Sequence, residues 1–111
     1  MLLNMHYQII YCTCPDNEVA NEISKALVQN KLAACVNILP NITSIYEWQG
    51  ELQRDPEQLL LIKSRSDKFE DIKQTINKLH PYELPEIIAV SIDNAAPNYL
   101  NWINESLDTK I

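Results

Sequence analysis

Polar and apolar positions along this chain recur with two different periods, and the switches between them outline its elements. Tyr7 to Thr13 (Tyr-Gln-Ile-Ile-Tyr-Cys-Thr) is β-branched and aromatic and ends at Pro15, which predicts a first strand. Pro15 with Asp16 and Glu18 then opens a helix, because proline suits a first turn and acids suit the positive end of the helix dipole. Val19, Ile23, Ala26 and Leu27 recur at helical spacing, and Asn30 supplies a left-handed stop. An extended stretch from Ala33 to Trp48 follows. It is interrupted by Pro40, which cannot donate to a ladder and so demands a bulge or an edge position. Gln49-Gly50 marks a turn, and Leu59-Leu60-Leu61-Ile62 predicts a buried strand continuing through Lys63 and Arg65.

Asp67 and Glu70 form an acidic variant of a capping box ahead of a second helix, whose buried stripe is Phe69, Ile72, Ile76 and Leu79. His80-Pro81 ends that helix, since the residue before a proline is pushed out of the α region. Pro85 to Ile92 predicts a fourth strand. Pro97 opens a third helix with Tyr99, Leu100, Ile103 and Leu107 facing inward. With no repeat, linker or low-complexity tract, residues 1–111 are expected to form a single domain. The first six elements follow the split βαβ pattern of an α+β, ferredoxin-like sandwich, an antiparallel sheet with both main helices on one face.

A sheet face left open to water should be polar. Here Leu59 and Leu61 lie opposite Leu60 and Ile62, Ile9 and Tyr11 opposite Ile10 and Cys12, and Ile87 and Ala89 opposite Ile88 and Val90. Both faces of the central strands are apolar, so the face without helices is expected to be buried by another subunit rather than by the third helix alone.

Composition narrows the chemistry. The 111 residues include a single glycine, Gly50, against about eight in an average chain of this length. One glycine cannot build a phosphate-cradling loop or a dinucleotide fingerprint. Nine Lys+Arg against 15 Asp+Glu leave a net charge of −6 with no basic run, which disfavours nucleic acid and anionic membranes as partners. No segment approaches the ~18 apolar residues of a bilayer span, and Met1-Leu2-Leu3-Asn4-Met5-His6 lacks the charged start of a secretory signal. The three cysteines, an odd number, suit reduced thiols in the cytosol.

Two short segments concentrate reactive side chains. Cys12-Thr13-Cys14 closes the first strand, where residues two apart project to one side, so both sulfurs can approach one point. Soft thiolates favour copper or zinc, although a free cysteine also packs as a small hydrophobe, Cys35 above all. His80-Pro81-Tyr82-Glu83-Leu84-Pro85-Glu86 places an imidazole, a phenol and two carboxylates in a proline-stiffened loop, which suits a metal or small-ligand site or an ordinary capped turn. His6, near the N-terminus, is expected to be inert. Lys63 and Arg65 alternate onto one side of a strand, facing an anionic ligand or pairing with Glu47 or Glu51 across the hairpin. Tyr46 and Trp48, two apart, suit an aromatic wall or interface packing. Cys12 and His80 make a thiolate–imidazole pair only if the fold joins them, and no oxyanion hole or orienting third group is evident. An enzyme is not expected.

These residues resemble the CutA family of divalent-cation tolerance proteins. The likeness is carried by Tyr-Cys-Thr-Cys-Pro-Asp (Tyr11 to Asp16), Lys-Leu-Ala-Ala-Cys-Val-Asn-Ile-Leu-Pro (Lys31 to Pro40) and Thr-Ser-Ile-Tyr-Glu-Trp-Gln-Gly (Thr43 to Gly50). Leu-Leu-Leu-Ile-Lys-Ser-Arg (Leu59 to Arg65), His-Pro-Tyr-Glu-Leu-Pro-Glu (His80 to Glu86) and Tyr-Leu-Asn-Trp-Ile (Tyr99 to Ile103) complete it. The resemblance implies a ferredoxin-like subunit in a cytoplasmic homotrimer and a role in tolerance of copper and other divalent cations, with no organic cofactor. It further implies copper held by Cys12 and His80. Where bacterial members carry a second histidine this chain has Leu79, so Glu83 or Cys14 would have to complete the site. The alternative, by fold analogy with trimeric nitrogen-signalling proteins, is a small-ligand sensor in which Lys63, Arg65, Tyr82 and Glu86 line a cleft between subunits.

Overall fold

The first strand, β1 (Tyr7–Cys14), runs through the middle of a four-stranded sheet in a computed structural model that describes residues 6–109. The reading of residues 1–5 as lacking a signal lies outside the described residues. His6 is exposed, and its carbonyl accepts a 2.7 Å hydrogen bond from the Ser66 N–H. β1 pairs antiparallel with β3 (Glu51–Arg65) on one side and β4 (Ile88–Ser91) on the other, and β2 (Cys35–Trp48) pairs with the far edge of β3. The order β2-β3-β1-β4 is the split βαβ arrangement, with β3 inserted between β1 and β2. Helices α1 (Asn17–Gln29) and α2 (Phe69–Leu79) pack together on one face, and α3 (Pro97–Asp108) follows β4.

Period-two alternation puts Ile10, Cys12 and Cys14 of β1 and Leu60 and Ile62 of β3 on the helix side, fully buried against Ile23, Leu27, Ile72 and Ile76. Each large aliphatic side chain in that layer contributes roughly 1.5–3 kcal/mol relative to exposure. α1 begins as expected, with the Asp16 carboxylate accepting from the Val19 N–H at 2.9 Å. Its end differs from expectation. Asn30 stays right of the left-handed region, and Lys31 takes it at φ +59°, with Leu32 N–H bonded to Leu27 O and Lys31 N–H to Val28 O. Those two bonds make a Schellman motif, which seats Leu32 against the core and places the positive φ one residue later.

Three further boundaries move for identifiable reasons. β3 starts at Glu51 rather than Leu59, because Gln49 (φ +51°) and Gly50 (φ +80°) form a two-residue turn that returns the chain directly along β2. Pro40 sits at the expected irregularity on the edge strand, between the Leu39 and Ile42 pairings. β4 shrinks to Ile88–Ser91 because its ladder ends at the Ile88–Tyr11 pair, with Pro85 unable to donate beyond it. The capping box does not form. A 3₁₀ turn, Ser66–Lys68, precedes α2, and the Asp67 carboxylate is taken by Arg65 instead, Nε–Oδ1 at 2.9 Å and Nη2–Oδ2 at 3.0 Å.

Arg65 is itself a correction. It neither faces a cleft nor reaches Glu47 or Glu51. It is buried, and its guanidinium also forks onto Asp108 (2.9 and 3.0 Å) and touches Asn104 Oδ1 at 3.0 Å. Asn104 in turn donates to the Tyr7 hydroxyl at 2.7 Å. This network fastens α3 over the Tyr7 end of the second sheet face, where Ile103 and Leu107 bury against Ala34. Tyr99 departs from the expected inward stripe: it is exposed, stacks on Trp102 and lies under Lys63 Nζ at 5.9 Å. The rest of the second face stays open, with Ile88 and Val90 about half exposed, and the β2–β3 hairpin beyond Gln58 projects as a two-stranded ribbon carrying exposed Ile45, Trp48 and Leu52.

Because Arg65 anchors α3 by charge and fork geometry, Arg65→Ala is expected to cost about 3 kcal/mol in chemical denaturation, and Arg65→Lys is expected to recover little of it. Arg65 holds the Asp108 carboxyl below its ordinary value of 3.8. A depressed carboxyl stabilises the fold above its unfolded-state pKa, so the parent should lose part of this margin as pH falls below about 4, and Arg65→Ala should not.

Candidate functional site

Alternation at the end of β1 separates two environments. Cys12 and Cys14 turn toward the helices, while Thr13 turns to the other face. α2 ends at His80, and the chain then crosses the open edge of β1 just past the last β4 pairing. There His80 Nε2 lies 2.7 Å from the Thr13 carbonyl. A carbonyl only accepts, so Nε2 carries the proton and Nδ1 is left with its lone pair, which accepts from the Tyr82 N–H at 3.2 Å. The imidazole is thereby fixed in tautomer and orientation.

The result is a buried group of three donors. One donor atom each from Cys12, Cys14 and His80 lie within 4.8 Å of one another, and all three residues are buried. The Cys12 S–H faces both the Cys14 sulfur and, at a weak 3.8 Å, the Thr13 carbonyl. The Cys14 sulfur, then burial, push the Cys12 thiol up, and the hydrogen bond from Cys12 draws Cys14 below its ordinary value. Cys14 is therefore the sulfur that ionises first. Gln58, paired with Cys14 across the ladder, buries an Oε1 that receives no hydrogen bond among the described residues. Two sulfurs and a neutral imidazole with an oriented lone pair fit a soft, thiophilic metal ion. The residues that would hold it are Cys12, Cys14 and His80. Glu83 is exposed and does not join this group, and Leu79 packs against the core.

Behind the strand lies a cleft of about 740 Å³ between the hairpin and the loop after His80. Tyr46, Trp48 and Tyr82 form its walls and Glu57, Glu83 and Glu86 supply carboxylates. The Tyr82 ring leans on His80 with centroids 4.6 Å apart, and its hydroxyl donates to Glu57 Oε2 at 3.0 Å. Of the four residues expected to line a cleft between subunits, Tyr82 and Glu86 border this cleft within one subunit. Lys63 lies six residues further along β3 from Glu57, about 20 Å at strand spacing, and Arg65 is buried in the network with Asp67 and Asp108. Glu57 was not legible in the sequence. Its only signal is its place two before Leu59, on the outward phase of an apolar strand, and nothing local marks its Tyr82 partner.

Partial burial and the Glu57 carboxylate push the Tyr82 phenol up to about 12. A raised phenol pKa stabilises the protonated state, so its contribution is complete below pH 10 and is lost as pH rises through 12. Absorbance titration should show one tyrosine ionising near 12 in the parent, absent in Tyr82→Phe and shifted down in Glu57→Gln.

The chain is similar to known proteins. Residues 8–106 match the family described as CutA1 divalent ion tolerance protein. A Xenopus laevis protein named CutA homolog is 48% identical over 95 residues, covering 86% of this chain and 63% of that protein. The chain thus spans less than two thirds of that relative. The Thermus thermophilus divalent-cation tolerance protein CutA is 48% identical over 99 residues, covering 89% of this chain and 96% of that one. The solved structure of the divalent cation tolerance protein from Thermus thermophilus superposes with a TM-score of 0.87 at 47% identity, covering 90% and 97% of the two chains.

Proposed function

This chain belongs to the CutA1 divalent ion tolerance family, and on that premise we propose that it acts in cation tolerance by binding copper, without catalysing a reaction. The observation that carries this reading is the convergence of Cys12, Cys14 and His80 donors within 4.8 Å in a buried pocket. Sulfur ligands select soft ions, imidazole suits copper and zinc alike, and copper heads the divalent affinity order. Cys14 supplies the donor that Leu79 does not. Because the thiols must stay reduced to ligate, the cytoplasm is the compartment in which the site works.

The working assembly is a homotrimer. Support comes from the half-exposed Ile88 and Val90 on the uncovered sheet face and from the hairpin ribbon, where Ile45 is 59% and Leu52 79% exposed. A two-stranded ribbon is marginal in water alone and gains by packing on another chain. A second reading is favoured by the cleft beside Tyr82: the subunit holds a small molecule there, and metal binding is incidental.

Native mass spectrometry of the reduced protein, with and without a small excess of copper, tests metal and assembly together. The expected result is a trimer holding one copper per subunit, with the copper lost and the trimer kept in Cys12→Ser/His80→Ala. An unchanged copper count in the double variant would sink the site. Leu61→Glu, which places a charge on the uncovered face, is expected to release monomer in size-exclusion chromatography; elution at the parent's mass would count against the interface.

A further inference from the structure

The cleft on the outward side of β1 carries more than its shape. Its charged lining consists of Glu57, Glu83 and Glu86, with no lysine or arginine among the lining residues. Glu57 is only 7% exposed, yet among the described residues it makes no ion pair. Oε2 accepts from the Tyr82 hydroxyl, and no hydrogen bond from a described residue reaches Oε1. A carboxylate this deeply buried is costly without a cationic partner. A cation from outside the chain would complete its charge.

Two observations choose the kind of cation. A hard metal ion needs several oxygens converging at one point. Among the described residues the only such group of acidic, histidine or cysteine donors is Cys12, Cys14 and His80, so the three cleft carboxylates do not all converge on one point. Tyr46 and Trp48 line the same cleft. Such carboxylates with aromatic walls fit a charged nitrogen on an apolar chain, through ion pairing and cation–π contact, and about 740 Å³ is the size of an ordinary small-ligand pocket.

We propose that this cleft binds a small primary amine or diamine, its ammonium paired with Glu57 and its carbon chain lying on Trp48. The proposal rests on the second, small-ligand reading above. It does not depend on copper. Glu83 and Glu86 receive the distal nitrogen of a diamine.

The test is calorimetric titration, with NMR of the Trp48 indole N–H, of the reduced and metal-free protein. The probes are putrescine, neutral butanediol and anionic succinate, which share a four-carbon chain. Support is saturable putrescine binding that shifts the Trp48 signal, weakens about tenfold in Glu57→Gln and about threefold in Trp48→Ala, with the other two silent. Putrescine binding unaffected by either substitution would overturn the placement. Binding of butanediol or succinate instead of putrescine would overturn the ligand class while leaving the small-ligand reading intact. If none of the three binds and either variant changes the mass of the assembly, the cleft is a contact between copies, and both readings fail. Absence of putrescine binding with unchanged assembly equally overturns the amine.

Discussion

The register of β1 on β3 is the constraint on which everything functional depends. Pairing Cys14 with Gln58 and Tyr7 with Arg65 sends Cys12 and Cys14 to the helix side and Thr13 and Glu57 to the other. A slip of one residue would exchange the two sets, exposing the sulfurs and burying the threonine. What holds the register is the helix-side layer of Ile10, Leu60 and Ile62, which cannot turn outward without losing its burial. Arg65 secures the opposite end of the same pairing through α3.

The loop after α2 links the two environments. His80 satisfies a Thr13 carbonyl that β4 no longer reaches, and Tyr82 follows by giving its N–H to the same imidazole and its hydroxyl to Glu57. One strand end, one histidine and one tyrosine therefore define both the thiol–imidazole group and the acidic cleft. A cation arriving at either side meets side chains already held by neighbours, which limits the entropy lost on binding.

Much of the fold was legible because it rests on periodicity. The stripes Val19-Ile23-Leu27 and Ile72-Ile76, the alternation through Leu59 to Ile62 and the Gln49-Gly50 turn each describe a local geometry that backbone sterics enforce. The errors arose where two side chains competed for one partner. Asp67 suits a helix cap, but a bidentate guanidinium is the stronger partner. Arg65 reads as a surface cation until Asp108, 43 residues later, folds onto it. Asn30 suits a left-handed stop, yet the seating of Leu32 decides that Lys31 adopts it.

The sequence by itself determined the element order, the two-sided apolar character of the central strands and the same-side projection of Cys12 and Cys14, since each follows from spacing of two or 3.6 residues. Only the tertiary structure decided that His80 joins those sulfurs, that Glu83 stays outside and that Glu57 faces an aromatic cleft with no ion pair to any described residue. These depend on contacts between segments remote in sequence, His80 to Thr13 across 67 residues and Tyr82 to Glu57 across 25. Such contacts are set by how layers pack, and no local pattern encodes them.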